Sequence, residues 1–236
     1  MIKEEFERTA LLLGEDGVSR LFDATVAVFG IGGVGGHAAE TLARAGVGRL
    51  VLVDRDEVSA SNVNRQAVAL HSTLGMKKTE VMREKILDIN PACEVITYPI
   101  AYNEETRDRF DFSKYDYVID AIDDIPAKID IILRSNEAKT KIISAMGAGN
   151  KLDATRFRVA DVYKTEGCAL ARAVRTRLKK LGIKHLKVVF SDEPPVRERL
   201  KGEPVGSLPF VPAVMGLILA GEAIKELSGV ENSNGR

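Results

Sequence analysis

VAVFGIGGVGGHAAETLARAG, residues Val26–Gly46, reads as a short apolar strand, a glycine turn and a helix. Gly30, Gly32, Gly33, Gly35 and Gly36 fall where the strand must turn into the helix. Glycine accepts positive φ there and lets a ligand approach the backbone, and the helix start offers N–H groups to an anion. Asp54 ends the next apolar run, 24 residues after Gly30. A carboxylate at that place can accept hydrogen bonds from ribose hydroxyls. The pattern predicts nucleotide binding, with a ligand-free tight connection as the alternative. Glycines alone do not say which nucleotide.

The rest of the chain sets the fold class. Apolar runs at Val26–Phe29, Leu50–Val53, Val95–Tyr98, Tyr117–Ile119 and Lys141–Ser144 alternate with helical patterns at Gly33–Ala45, Lys77–Asn90, Glu104–Phe110 and Ile125–Ala138. That alternation predicts an α/β, Rossmann-like, doubly wound sheet, mostly parallel. Two helices, Lys3–Leu13 and Asp16–Phe22, are expected before the first strand. After Gly149 the pattern becomes strand Phe157–Asp161, helix Ala169–Leu181, strand Leu186–Phe190, a proline-rich loop Glu193–Pro209 and helix Ala213–Leu227. This predicts a C-terminal elaboration on the same sheet, in one domain spanning 1–236: a nucleotide-binding core at 1–150 and a substrate-side part at 151–230. The polar end, 229–236, is expected to fray.

Composition excludes several classes. Of 236 residues, 45% are hydrophobic, which supports a sizeable core, and the formal net charge is zero. Two distant cysteines, Cys93 and Cys168, with no CxxC, argue against a disulfide framework or a cysteine-rich zinc site and suit a cytoplasmic, reducing compartment. The start is acidic before it is apolar, unlike a secretory signal. The apolar stretch 210–220 falls well short of the ~20 residues that span a bilayer.

Asn62, Arg65 and Gln66 fall within one helical turn, and Lys78 follows Gly75. An Arg and a Lys converging on one anion suit a triphosphate better than a dinucleotide's pyrophosphate bridge, although each alone reads equally as a solvated surface charge. Asp120, Asp123 and Asp124 follow at the carboxyl end of a central strand, where open α/β sheets bind ligands. Such a carboxylate holds Mg²⁺ beside phosphates, or caps the helix starting near Pro126.

GIGGVGG, VLVDRDEVSASNVNRQ, GMKK, INP and VIDAIDD, in that order, resemble the ThiF/MoeB/HesA superfamily over about residues 8–146. These enzymes, related to ubiquitin-activating enzymes, adenylate a carboxylate with ATP and Mg²⁺ and are usually homodimers. The resemblance implies that Asp54 binds ribose, that Asn62, Arg65, Gln66 and Lys78 bind the ATP phosphates, and that Asp123 holds Mg²⁺ and supports adenylation. It also implies that Arg8 enters the partner's active site. The catalytic set is then Asp123, Arg65 and Arg8, with Gly30, Gly32, Gly33 and Gly35 lining the ATP loop.

The carboxyl third narrows the resemblance. GAGNKLDATRFRVADVYKTEG, KVVFSDEPP and PVGSLPFVPAVMGLILAGEAIKEL are similar to the tRNA threonylcarbamoyladenosine dehydratases, with Cys168-Ala169-Leu170 a departure. That implies ATP-dependent cyclisation of threonylcarbamoyladenosine in tRNA. The rival readings are an adenylyltransferase acting on a Gly-Gly-ended sulfur carrier and an NAD(P)-dependent oxidoreductase. Lys151–Lys187 holds eleven Lys/Arg against three acids, which suits a polyanion, and Arg172, Arg175 and Lys179 share one face of its helix. An ordinary solvated helix face is the alternative. Cys168 sits where a thiolate would be favoured, but reads first as an incidental thiol. Cys93 and His37 read as packing, and His71 has no assigned role. A structural monovalent cation at the nucleotide loop and a sulfur-relay protein are candidate companions.

Overall fold

A computed structural model describes residues 3–230 apart from 199 and 201. The part of the polar end expected to fray beyond 230 lies outside the described residues. Along the chain run α1 (Glu7–Asp23), β1 (Thr25–Phe29), α2 (Gly35–Arg44), β2 (Arg49–Val53), α3 (Lys78–Ile89), β3 (Glu94–Tyr98) and β4 (Tyr117–Asp120). Then come α4 (Ile125–Glu137), β5 (Lys141–Ala145), β6 (Phe157–Asp161), α5 (Ala169–Lys180), β7 (Lys187–Ser191) and α6 (Phe210–Ser228).

The seven strands form one sheet in the order β3-β2-β1-β4-β5-β7-β6, parallel except for β6 against β7. The expected doubly wound sheet is therefore present, and the C-terminal strands extend it. Alternation along the strands feeds two faces. Val26 and Val28 of β1, Leu50 and Leu52 of β2, and Tyr117 and Ile119 of β4 pack toward α2, α3 and α6. Ala27, Phe29, Val51, Val53 and Val118 meet the opposite layer, where Phe29 stacks on Phe112 and lies edge-on to Tyr102.

The two helices expected before the first strand are present as two segments of α1, separated at Gly14, whose φ of 73° and ψ of 163° are non-helical. The helix expected over Glu104–Phe110 shrinks to a 3-10 turn, Arg107–Arg109. Asn103 Oδ1 accepts from the Glu105 and Thr106 N–H groups, and Thr106 Oγ1 donates to the Ala101 carbonyl at 2.6 Å. These local bonds compete with helical ones, while Phe110 is locked among Phe29, Tyr98 and Tyr102.

The carboxyl ends of β4 and β5 are joined by a buried charge. Lys128 Nζ on α4 donates to Asp120 Oδ2 at 2.7 Å, Ser144 Oγ at 3.2 Å and the Ala145 carbonyl at 3.1 Å. Lys128, Asp120 and Ser144 are all 0% exposed. Every polar end of the trio is satisfied, so removing one partner strands a charge in a dry interior. We predict that Lys128→Met lowers the free energy of unfolding by ~3–5 kcal/mol, measured by urea denaturation. A loss below about 1 kcal/mol, the scale of an exposed pair, would contradict this role.

Candidate functional site

Chain reversal around the β1–β4 pair opens a cleft at the carboxyl ends of the strands, the switch point where such sheets take ligands. It holds about 720 Å³ and is lined from the glycine turn, the ends of β2, β4 and β5, and the approach to α6. The turn is built on missing side chains. Gly30 has φ 91°, and a Cβ there would lie 2.8 Å from the Ala121 carbonyl oxygen. A Cβ on Gly35 would fall 1.8 Å from the Gly30 oxygen. Gly32 has open space before it, with Gln66 Nε2 at 3.9 Å the one neighbour within 4 Å, so a side chain there would intrude on the cleft rather than on protein. α2 starts behind the turn with no side-chain cap on its first N–H groups, an arrangement that favours an anion.

The polar residues expected to meet a nucleotide converge here. Gly30, Gly32, Gly33, Asp54, Asn62, Arg65, Gln66, Lys78, Asp123 and Asp124 all line the cleft. Gly35 sits one layer behind, closing the turn. Asp54 Oδ2 accepts from the Ile31 N–H at 2.6 Å and Oδ1 from the Asp56 N–H at 2.8 Å, which fixes the carboxylate against the glycine turn. Burial pushes its carboxyl above the ordinary value, against the downward pull of those N–H groups and of Lys78. The buried Lys78 ammonium lies 2.9 Å from the carboxylate of Asp56. Burial acts to raise the Asp56 carboxyl, but the Lys78 contact outweighs it and holds it below the usual range. Asn62 Oδ1 accepts from the Ser59 N–H at 3.1 Å.

Gln66 is the most informative of the set for a bound group. It is 9% exposed, and its Oε1 is buried with no hydrogen-bond partner among the described residues. A buried polar atom without a partner costs free energy unless something else meets it. A polar ligand in the cleft beside Gly32 would do so.

The three aspartates after β4 divide. Asp120, at the strand end, is spent on Lys128 and Ser144 and takes no part in the cleft. Asp124 caps α4, accepting from the Ala127 N–H at 2.9 Å. Asp123 is exposed on the cleft lining and caps nothing. No group of three or more His, Cys, Asp or Glu gathers among the described residues. An Mg²⁺ here would therefore share its coordination with phosphate oxygens and water, the habitual mode for that ion.

The structure treats the remaining candidates differently. Arg8 is exposed on α1, outside the cleft of its own chain, in a shallow hollow with Glu4, Glu5 and Glu7. Arg172 and Lys179 are exposed on α5. Arg175 does not share their face: its Nη1 donates to the Thr165 carbonyl and Oγ1, both at 2.7 Å, so its guanidinium braces the turn before α5. Other positive charges of that stretch are also engaged. Lys151 is buried on the Glu193 carbonyl, Arg156 and Arg158 pair with Asp192, and Lys187 pairs with Glu222 and Glu226. The basic surface is smaller than the sequence count suggests. Cys93 is core, and burial pushes its thiol up to about 11. Cys168 is the N-cap of α5, accepting from the Ala171 N–H at 3.5 Å.

Several lining residues had no signal in the sequence reading. Tyr102 and Asn103 reach the cleft from the loop after β3, and Val205, Ser207 and Pro212 from the approach to α6. Gly147 and Gly149, also on the wall, could have been found from the GAG that follows an apolar run.

With this geometry in hand, likeness to known proteins is specific. The ThiF family model matches residues 6–236. The chain is 46% identical to the tRNA threonylcarbamoyladenosine dehydratase of Bacillus subtilis (strain 168), over 94% of both. Crystal structures of the E. coli tRNA N6-threonylcarbamoyladenosine dehydratase TcdA, in complex with ATP and with AMP, superpose with a TM-score of 0.90 at 35% identity, covering 97% of each chain. A sulfur carrier protein adenylyltransferase of Thermus thermophilus is 28% identical, over 96% of this chain and 78% of that one. We predict that Asp54→Asn weakens ATP binding about tenfold or more, the worth of a charged hydrogen bond. In the wild type, affinity should fall as pH drops through a midpoint above 3.8, because protonation removes the acceptor. A pH-independent affinity in titration calorimetry would contradict the assignment of Asp54 to ribose.

Proposed function

The chain belongs to the ThiF family, and from that premise we propose that it cyclises threonylcarbamoyladenosine in tRNA by adenylating the threonyl carboxylate with ATP. One combined observation carries the reading. A near full-length relative at 46% identity bears the dehydratase name, and this chain's own cleft gathers Asp54, Arg65, Gln66, Lys78 and Asp123 around the glycine turn.

ATP lies with its ribose on Asp54 and its phosphates over the glycine turn, between Arg65 and Lys78. Gln66 Oε1 meets a polar group of the nucleotide. Asp123 would hold Mg²⁺, which would supply positive charge beside the phosphate oxygens. In a homodimer, Arg8 of the partner subunit adds a further cation, in keeping with its exposure on α1 away from its own cleft. The threonyl carboxylate attacks the α-phosphorus, the bond to the β-phosphate oxygen breaks and pyrophosphate leaves. Fixed cations stabilise the charge that develops. An atom of the substrate's own urea group then attacks the activated carboxyl carbon and loses its proton, and AMP departs with one carboxylate oxygen. The net change in the nucleoside is the loss of water. Ring closure is intramolecular, so proximity supplies much of the acceleration.

Residues 151–230 form the substrate side of a single domain, and Arg172 and Lys179 offer phosphate contacts to RNA. A monovalent cation at the glycine turn and a sulfur-relay partner are compatible additions. No helix of the described residues is long and apolar enough to cross a membrane; the tRNA substrate of this reading places the work in the cytoplasm. The sulfur-carrier reading draws support from the Thermus thermophilus relative, and it predicts AMP transfer to a Gly-Gly-ended protein with indifference to tRNA. We predict that Asp123→Ala lowers AMP release with modified tRNA by at least ~100-fold, as expected when a main electrostatic contributor is lost, with thermal melting unchanged. Undiminished AMP release would contradict the role of Asp123.

A further inference from the structure

Arg65 is held from behind. Its Nη1 donates to the Ser61 carbonyl at 2.9 Å and to Asn64 Oδ1 at 2.8 Å. With Nη1 occupied, Nε and Nη2 form the edge available to an anion. Asn64 uses the other end of its amide as well: Nδ2 donates to the Ser207 carbonyl at 3.0 Å. One short side chain thus bridges the phosphate-facing arginine and a distant segment.

That segment connects β7 to α6 and brings Val205 and Ser207 onto the cleft wall. Its base is clamped by Asn150, which sits in the left-handed region with φ 59°. The Asn150 N–H donates to the Gly206 carbonyl, and its carbonyl accepts from the Val196 N–H. Its side-chain Nδ2 and Oδ1 bond to the carbonyl and N–H of Arg197. Both ends of the 196–206 excursion therefore meet at one residue, and the stretch just beyond it is fastened at the cleft edge by Asn64.

We propose that Asn64 is a positioning residue that aligns Arg65 for the ATP phosphates and ties it to the 194–209 loop, so that nucleotide occupancy and loop seating are coupled. A guanidinium held on a phosphate keeps Asn64 Oδ1 engaged on Nη1, which fixes the Asn64 amide with its Nδ2 on the Ser207 carbonyl and so seats the loop. Coupling of this kind is reciprocal: a loop seated by substrate improves the alignment of Arg65 for ATP. The proposal rests on the ATP-binding part of the function above and on no step of the tRNA chemistry.

A double-mutant cycle on ATP affinity tests the alignment, and trypsin cleavage after the exposed Arg197 tests the loop. Asn64→Ala is expected to weaken ATP binding about fivefold, within the range for a lost hydrogen bond. It should add nothing further in an Arg65→Ala background, because it acts through that arginine. Saturating ATP should slow the cleavage after Arg197 in the wild type and leave it unchanged in Asn64→Ala. Additive losses in the cycle, or equal ATP protection of the loop in both proteins, would overturn the proposal. If Asn64→Ala does not fold, Asn64→Ser is read in the same way, since its hydroxyl falls short of both partners. The readouts use ATP alone: if the wild type binds no ATP, the nucleotide site and this proposal fall together, whereas failure to process tRNA leaves the proposal standing.

Discussion

Two missing side chains set the geometry of everything around the cleft. Gly30 turns the chain out of β1 against the Ala121 carbonyl, and Gly35 begins α2 against the oxygen of Gly30, at separations that no Cβ can share. The turn is consequently tight enough to bring the start of α2 to the carboxyl end of the central strands and to leave a hollow in front of Gly32. Asp54 locks the arrangement by taking the Ile31 N–H. The carboxylate assigned to ribose is thus also a structural clip on the loop assigned to phosphate.

The second organising feature is the division of labour among acids. Asp120, Asp123 and Asp124 occupy five consecutive positions with two other residues, yet they do three different jobs. Burial beside Lys128 consumes the first and helix capping the third, which leaves Asp123 to face the cleft. The Lys128 network also fixes β5 next to β4, and with it the Gly147–Gly149 wall. Stability and function are coupled here by placement: an expensive buried charge holds the strand ends that carry the site.

The sheet was readable because its central strands are buried on both faces and so stand out as short apolar runs between helical patterns. β1, β2, β4 and β5 lie where their apolar runs predict, and β6 coincides with its expected range. What escaped was set by tertiary contact. The stretch after Asn103 has helix-like composition, but side-chain bonds to its own backbone and the burial of Phe110 override propensity. Arg175 has the spacing of a surface cation, but the Thr165 carbonyl and hydroxyl in the preceding turn draw it inward. Lys128 gave no sign of burial, because its partners Asp120 and Ser144 come together only when β4 and β5 pair. Ser207 and Asn64, 143 residues apart, meet for the same reason.

The central claim is that a substrate carboxylate is activated on the α-phosphorus of ATP in this cleft. Transfer of isotope tests it most directly. Substrate tRNA whose threonylcarbamoyl carboxylate is labelled with ¹⁸O is turned over with ATP, and the released nucleotide is weighed. The account predicts one labelled oxygen in AMP, with none in pyrophosphate. Label found in inorganic phosphate with ADP as the product, or AMP free of label, would contradict it.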